Sequence, residues 1–268
     1  MTDYSRYEFI KVEKEGKLAT LTLNRPESLN AIHPPFHEEL EDIWVDVARD
    51  ADINAIILTG AGRAFCAGGD VKGMDSRSDP DEAKRYYLRT VSSARRMVQN
   101  MLMIEQPIIG AINGDAVGLG ATIALLSDIV IAAEKARFGD PHVKVGIVAG
   151  DGGAIIWPAL IGVSKAKEYL MTGKMLDAVE AERIGLISYA VSPDEVMPKA
   201  RELAQELADG PTWAIRFTKV SVNKFLGDQV NLILDASLGL EMLTFTTTDH
   251  KEATKAWVEK RKPQFKGF

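Results

Sequence analysis

The chain has 268 residues, of which 46% are hydrophobic and 26% charged, enough for one large α/β domain or for a core domain with an appendage. Its formal net charge of −6 argues against nucleic acid or an anionic membrane surface as the main partner, and its single cysteine excludes an internal disulfide framework and suits a reducing compartment. Because the chain has neither a run of about eighteen apolar residues nor an apolar secretory segment near its start, we expect no membrane span and a cytoplasmic location.

The first hundred residues alternate between strand and helix patterns. The predicted elements are, in chain order, a hairpin of strands at 7–12 and 18–23, a helix opened by Pro34-Pro35, a buried strand at 55–59, a polar loop at 75–81 and a long helix at 82–103. Such alternation indicates a mainly parallel sheet. The polar loop follows a glycine-rich turn, so we expect it to form a mobile rim over a pocket; a plain solvated loop is the simpler alternative.

The second half continues the alternation and then becomes helical. The predicted elements are a buried strand at 107–112, a helix after Leu119, strands at 128–133 and 136–139, a helix at 152–160, a strand at 187–191 and a helix at 195–208. The clearest break in composition is Gly210-Pro211. We therefore divide the chain into a core domain (residues 1–210) and a C-terminal helical region (residues 211–268).

Two glycine-rich turns each follow a buried strand. One is A-G-R-A-F-C-A-G-G-D-V-K (61–72) and the other is N-G-D-A-V-G-L-G (113–120). Glycine lets the backbone approach a ligand closely, and a helix that begins at such a turn directs unpaired N–H groups into the space ahead of it. Together the turns could place one N–H each on a single oxygen, of a phosphate or of a carbonyl becoming an oxyanion. The alternative is a pair of tight connections without a ligand.

These turns resemble the two oxyanion-hole segments of the crotonase, or enoyl-CoA hydratase/isomerase, superfamily. Three further segments match the family pattern in order: L-N-R-P with L-N-A (23–31), T-G with A-x-E-A and G-L-I (172–187), and E-K-R-K-P-Q-F (259–265). The resemblance covers nearly the whole chain. It implies an α/β fold, the crotonase-like spiral of ββα units with a C-terminal helical trimerisation region, and a homotrimer or a dimer of trimers.

The resemblance also implies where an acyl-CoA thioester would bind. The backbone N–H groups of Gly69 and Leu119 would form the oxyanion hole. Residues of the first turn would line the coenzyme A groove, and two basic residues are weaker candidates for its phosphates; these candidates are Ala67, Gly69, Asp70, Val71, Lys72, Arg25 and Lys266. Coenzyme A would be part of the substrate, and we expect no permanently bound cofactor and no metal.

The chain departs from the hydratase pattern at the two glutamates that position and activate water. Those positions fall on Thr122 and His142. A threonine hydroxyl can hold water but is no base at neutral pH, whereas the pKa of imidazole suits proton transfer. Asp151, nine residues after His142, could orient the imidazole as the third member of a triad does. His142, Asp151 and Thr122 are therefore the predicted catalytic residues.

Several alternatives remain open at these positions. Asp151 could instead cap the helix at 152–160, and His142 could be an exposed loop residue. Asp140 and Asp115 are other potential partners for His142. Cys66 lies inside the first turn, where it is either a nucleophile or, as we favour, a small buried residue.

Three functions are compatible with the sequence. The first is an enoyl-CoA hydratase or isomerase acting through an oxyanion-stabilised enolate or tetrahedral intermediate. The second is a hydrolase of the same fold that cleaves a carbon–carbon bond of a β-dicarbonyl in a retro-Claisen step. The third is a catalytically silent subunit that binds coenzyme A, against which the pair of His142 and Asp151 argues.

The C-terminal helical region carries more apolar positions than one surface needs. Examples are Leu232, Leu238, Leu243 and Trp257. Because extended apolar faces usually mark interfaces, these positions predict a homotrimer or hexamer.

Overall fold

A computed structural model describes residues 2–70 and 80–268 of the chain. Its strands are β1 (Ile10–Glu15), β2 (Leu18–Leu23), β3 (Ala55–Gly60), β4 (Ala64–Cys66), β5 (Ile108–Ile112), β6 (Asp115–Val117), β7 (Ile129–Ala133), β8 (Arg137–Gly139), β9 (Leu176–Asp177) and β10 (Tyr189–Val191). Its helices are α1 (Pro34–Arg49), α2 (Pro80–Met103), α3 (Leu119–Leu125), α4 (Gly153–Thr172), α5 (Ala178–Arg183), α6 (Val196–Asp209), α7 (Thr212–Thr244) and α8 (Thr248–Val258).

The strands form two sheets. The larger sheet has the order β1-β2-β3-β5-β7-β10 and is parallel except for the β1–β2 hairpin. The smaller sheet has the order β4-β6-β8-β9 and is parallel except between β8 and β9. The predictions of an N-terminal hairpin and a mainly parallel sheet are thus confirmed.

A unit of two strands and a helix repeats along the chain. In each unit a strand of the larger sheet is followed by a short strand of the smaller sheet and then by a helix: β3-β4-α2, β5-β6-α3 and β7-β8-α4. Because β4, β6 and β8 are parallel neighbours, their carboxyl ends meet at one edge of the smaller sheet. The three segments that follow these strands are therefore brought together.

The core lies around the larger sheet. Every residue of β3 and β5 is buried, as expected for parallel strands that are covered on both faces. Helix α6 packs on β3, β5 and β7 and buries a stripe at four-residue spacing, which consists of Val196, Ala200, Ala204 and Ala208. Three alanines in this stripe let the helix approach the sheet closely.

The C-terminal helices pack on the core. Helix α7 contacts α2 and α4 and buries Val230, Leu234 and Leu238 in the main hydrophobic cluster. Near its start, Lys219 forms an ion pair with Asp128, with 2.7 Å between Nζ and Oδ2.

The observed elements differ from the predicted ones in several places. The first strand lies at Ile10–Glu15, three residues later than predicted. The short strands β4, β6 and β9 were not predicted. Helix α4 continues beyond residue 160 through a break at Gly162, whose φ is 77°. Most of the loop predicted at 75–81 lies outside the described residues.

In the part of the chain that the structure describes, no helix is long and apolar enough to cross a membrane.

Candidate active site

The first glycine turn lies against the second. Gly68 has a φ of +85°, and a Cβ at this position would lie 2.5 Å from the carbonyl oxygen of Val117 and 3.6 Å from the amide nitrogen of Leu119. Only glycine fits this contact, since it tolerates positive φ and has no side chain. Gly118, with a φ of +54°, turns the chain from β6 into α3. The two turns thus form one continuous backbone surface.

The amides of Gly69 and Leu119 are available as donors on that surface. Ile32 donates to the carbonyl of Gly68 (2.8 Å) and accepts from Asp70 (2.9 Å), which places Gly69 in a parallel bridge and directs its own N–H away from Ile32. Leu119 is the first residue of α3, and N–H groups in the first turn of a helix have no partner within the helix. Among residues 2–70 and 80–268, neither amide has a hydrogen-bond acceptor.

Both amides border a cavity of about 460 Å³. Its floor consists of the two turns and the segment after β8. One wall comes from α1 and α2, including His37, Ser93 and Ala94, and another comes from the C-terminal helices, with Leu238, Glu241, Phe245 and Trp257. The cavity is mainly apolar, and its polar groups are concentrated at a few positions, as is typical of ligand sites.

The imidazole of His142 lies beside the second turn. A Cβ on Gly118 would be 3.4 Å from Cε1 of His142. The Nδ1 atom of His142 is hydrogen-bonded to Oδ1 of Asp140, and its Nε2 atom is 3.5 Å from Oδ2 of Asp151. The two carboxylates therefore contact different ring nitrogens. Asp140, and not Asp151, occupies the orienting position at Nδ1.

The charges of His142, Asp140 and Asp151 shift the pKa values within this cluster. Burial alone would lower the pKa of His142, but the carboxylates of Asp140 and Asp151 outweigh it and hold that pKa well above its ordinary value. Burial raises the pKa of Asp151, and the neighbouring His142 opposes this rise. The surroundings therefore favour the charged form of the imidazole beside two buried carboxyl groups.

Asp151 does not cap a helix here. Helix α4 has Gly152 at its N-cap position, without a side-chain hydrogen bond, so the capping alternative is wrong. Asp151 instead accepts from the hydroxyl of Thr122 over 3.5 Å. Thr122 is fully buried and is not one of the described residues that line the cavity. Thr122 therefore contacts Asp151, which lines the cavity, but does not itself border the space that a substrate would fill.

The carboxyl group of Glu241 is a feature that sequence reasoning missed. Glu241 lies on α7 and lines the cavity, and its Oε2 atom is buried without a hydrogen-bond partner in the described part of the chain. Burial, reinforced by Asp151, raises the pKa of Glu241 well above its ordinary value. No sequence pattern links Glu241 to a site about ninety residues upstream.

The residues predicted to bind coenzyme A lie at different distances from the cavity. Ala67 and Gly69 line the cavity. Arg25 and Asp70 are paired with each other, with 2.9 Å between Nη1 and Oδ2. Lys266 lies on the exposed tail, which Asp249 holds through the amides of Lys266 and Gly267. Val71 and Lys72 lie outside the described residues.

Two alternatives raised by the sequence are excluded. Asp115 binds the guanidinium and the amide of Arg137 at the surface and is no partner of His142. Cys66 is fully buried, donates to the carbonyl of Asn30 over 3.1 Å, and has a pKa raised by burial to about 12. A thiol with these properties is no nucleophile.

The cluster of Asp140, His142 and Asp151 also has atoms that could bind a metal, all within 4.8 Å of one another. However, the two carboxylates lie at opposite ring nitrogens of His142. One metal ion cannot bind Nδ1 and Nε2 of the same ring. The geometry therefore favours a hydrogen-bonded chain for proton transfer over a coordination site.

Comparisons with known proteins show to which family the chain is similar. The family model described as "Enoyl-CoA hydratase/isomerase" matches residues 13–267. The "Crotonyl-CoA hydratase" of Syntrophomonas wolfei is 35% identical over 260 residues, covering 97% of this chain and 98% of the relative. The "Short-chain-enoyl-CoA hydratase" of Clostridium acetobutylicum is 36% identical over 256 residues, with 94% and 95% covered.

A solved structure has the same fold. The crystal structure of an enoyl-CoA hydratase/isomerase from Mycobacterium paratuberculosis superimposes with a TM-score of 0.88 at 36% identity, and the match covers 94% of this chain and 99% of that one. The repeated ββα units and the C-terminal helices are thus those of the crotonase fold, as the sequence predicts. The chain belongs to the enoyl-CoA hydratase/isomerase family.

Proposed function

We propose that this protein is an enoyl-CoA hydratase-like enzyme in which His142, Asp140 and Asp151 replace the usual pair of glutamates. The observation that carries the proposal is the position of the His142 imidazole, which lies against Gly118 beside the free amide of Leu119. A proton-transfer group is thereby adjacent to the donors that would stabilise an enolate oxygen. The names of the relatives, which are hydratases of crotonyl-CoA and short-chain enoyl-CoA, support the same substrate class.

The proposed reaction divides its two proton transfers between two residues. The thioester oxygen accepts from the amides of Gly69 and Leu119, and two such donors stabilise the charge that develops on it. Asp151, whose pKa burial raises, accepts a proton from water as the water oxygen adds to the β-carbon. The charged His142 then donates a proton to the α-carbon, so that one water is added across the double bond. Proton exchange over the 3.5 Å between Asp151 and His142 restores the resting state.

Asp140 acts through His142. Its carboxylate on Nδ1 fixes the ring so that Nε2 carries the proton that is donated, and it stabilises the charged form. Asp140 is therefore a positioning residue in this scheme. Thr122 holds Asp151 in turn through the hydroxyl contact.

A second candidate is the hydrolysis of a carbon–carbon bond in a β-dicarbonyl compound. The observation that favours it is the chain of Asp140 and His142, which activates water as a nucleophile when the imidazole is uncharged. Water would add to one carbonyl, the bond to the central carbon would break, and a carboxylic acid and an enolate would form. The enolate oxygen would be stabilised by the same two amides and its carbon would be reprotonated.

One set of assays separates these reactions. Purified protein is incubated with crotonyl-CoA, with a longer 2-enoyl-CoA and with a β-dicarbonyl that lacks coenzyme A, and the products are identified by mass spectrometry. Formation of 3-hydroxyacyl-CoA, lost in His142→Ala, supports hydration. Cleavage of the dicarbonyl, also lost in His142→Ala, supports the second candidate. Binding of acyl-CoA without turnover of any substrate would overturn both and leave the silent subunit.

A further inference from the structure

A second group of polar side chains lies in the cavity wall formed by α1 and α2. It consists of His37 and Glu41 on α1 and of Ser93 and Arg96 on α2, which we name the α1–α2 polar cluster. His37 and Ser93 line the cavity. The proposed reaction assigns no role to this cluster, although it borders the same space as His142.

The contacts within the cluster direct the Nδ1–H of His37 at the hydroxyl of Ser93. The hydroxyl of Ser93 donates to Oε1 of Glu41, and Arg96 donates to Oε2 of Glu41 over 2.6 Å. Burial alone would raise the pKa of Glu41, but the hydrogen bonds from His37, Ser93 and Arg96 lower it to about 2, so Glu41 is charged and acts only as an acceptor. The Ser93 hydroxyl has its hydrogen on Glu41, and its oxygen accepts from Nδ1 of His37 over 2.8 Å.

This tautomer leaves Nε2 of His37 as an acceptor. With the proton on Nδ1, the neutral ring has its lone pair on Nε2. In the described part of the chain, Nε2 has no hydrogen-bond partner. The side chain is only 15% exposed and lines the cavity, so a ligand that fills the cavity would cover this atom.

We propose that Nε2 of His37 accepts a hydrogen bond from a hydroxyl group on the acyl chain of the substrate, beyond the two carbons that react. The preferred substrate class is therefore an acyl-CoA with a hydroxylated chain. This inference rests on the proposed function, because it requires an acyl-CoA thioester to fill the cavity.

A plain alkyl chain fits this wall poorly. It would cover Nε2 of His37 and remove it from water without supplying a donor, which leaves a buried acceptor unpaired. A hydroxyl at the right distance supplies that donor. Sites built to bind a substrate hydroxyl discriminate strongly against the analogue that lacks it.

Binding measurements test the inference independently of turnover. Calorimetry gives the dissociation constants of hexanoyl-CoA and of its 4-, 5- and 6-hydroxy derivatives, which do not react by hydration. We expect at least one hydroxy derivative to bind about tenfold more tightly than hexanoyl-CoA, a difference of about 1.4 kcal/mol. Equal binding of all four compounds would overturn the inference and leave the proposed function intact. Failure of all four to bind would overturn both.

Matched variants locate the effect at His37. His37→Asn keeps an N–H near Ser93 but has no atom at the position of Nε2, so the ratio of dissociation constants should fall towards one. His37→Gln places an amide oxygen near the position of Nε2 and should retain part of the preference. Ser93→Ala frees the tautomer and should weaken the preference, whereas Ser92→Ala, which does not line the cavity, should keep it. A preference unchanged in folded His37→Asn, as judged by its melting temperature, would overturn the assignment.

Discussion

At the residue scale, His142 is held between two carboxylates that contact its two ring nitrogens. Asp140 comes from the end of β8, two residues before His142, whereas Asp151 comes from the segment before α4. In the proposed reaction the two carboxylates therefore differ in role. Asp140 orients the ring and stabilises its charged form, whereas Asp151 lines the same cavity as the ring.

Substitution of Asp140 tests the orienting role. Asp140→Asn keeps the shape of the side chain but removes its charge, so the charged imidazole loses its stabilisation. We expect kcat/KM on the true substrate to fall by about two to four orders of magnitude, the range for loss of a residue that orients a catalytic histidine. The matched control is Asp115→Asn, since Asp115 binds Arg137 at the surface. Similar activities in the two variants would contradict the role of Asp140.

The pH dependence of activity reports on the same contact. The carboxylates of Asp140 and Asp151 raise the pKa of His142 above its ordinary value despite burial, and His142 donates a proton only while charged. Activity should therefore be lost as pH rises through that raised pKa. In Asp140→Asn one of the two charges that raise the pKa of His142 is gone. The alkaline limb of kcat/KM should therefore move to lower pH. An alkaline limb at the same pH in both proteins would exclude His142 as the acid.

The raised pKa of His142 also predicts how the free energy of unfolding depends on pH. A group whose pKa is higher in the folded state stabilises the fold below its unfolded pKa and loses that contribution as pH rises through the folded value. The difference in unfolding free energy between wild type and His142→Gln should therefore shrink as the solution is made alkaline from about pH 6.5, the ordinary pKa of histidine. Chemical denaturation at a series of pH values measures it; a difference that grows with pH would contradict a raised pKa.

The sequence predicted residues that the structure places together, but it did not predict their pairing. His142 and Asp151 were predicted because the family that the chain resembles brings these positions to the pocket, and Asp140 was an alternative partner for His142. Which carboxylate contacts which ring nitrogen depends on side-chain directions within a short turn, and no periodicity encodes these. Glu241, His37 and Ser93 reach the cavity from helices distant in sequence, where each fits an ordinary polar position of an amphipathic helix.

At the element scale, the site is formed where three short parallel strands end. Gly68 and Gly69 of the first turn follow β4, Gly118 of the second turn follows β6, and Asp140 and His142 follow β8. Gly118 also donates to the carbonyl of Gly139 over 2.9 Å, which links the ends of β6 and β8. The two long strands before the glycine turns were predicted from their apolar runs. Strand β6, only three residues long, has too few positions for a recognisable pattern and is defined by its neighbours.

The amide of Leu119 can be removed with little change to the helix. Leu119 is the first residue of α3, a position at which proline is favoured because its N–H has no helical partner. Leu119→Pro should therefore fold, yet lower kcat by about two to three orders of magnitude, the effect of one lost oxyanion donor. Leu119→Ala is the control, since it keeps the N–H while shortening the side chain. A folded proline variant as active as the alanine variant would remove Leu119 from the oxyanion hole.

At the scale of the whole molecule, the C-terminal helical region belongs to the site as well as to the surface. Leu238, Glu241, Phe245 and Trp257 line the cavity, so residues after 211 complete a pocket whose floor lies in the core. The division at residue 210 marks the change to helix that the composition indicates. It does not separate two functions, because the cavity requires both parts.

The apolar positions of this region divide into two groups. Leu238, which the sequence analysis assigned to an interface, is fully buried in the core, so that assignment is wrong. Leu232, Leu243 and Trp257 are exposed in the single chain, and the exposed fraction of Leu232 is 75%. Further large apolar side chains are exposed along α7; these are Trp213, Phe217, Val222, Phe225 and Leu240. Apolar periodicity indicates a helix face but cannot tell whether the chain itself or another copy covers it.

The exposed face of α7 predicts self-association. So many large apolar side chains on one helix are costly in water, and a homotrimer or a dimer of trimers would cover them. Light scattering should give the mass of three or six chains of 29.3 kDa each. Leu232→Glu should lower that mass, because a charge in a packed apolar interface is strongly unfavourable, while the high exposure of Leu232 lets the single chain tolerate the change. Met171→Glu on α4, at a position that is 71% exposed, is the control and should leave the assembly intact. A wild-type protein that stays monomeric at micromolar concentration would contradict the prediction.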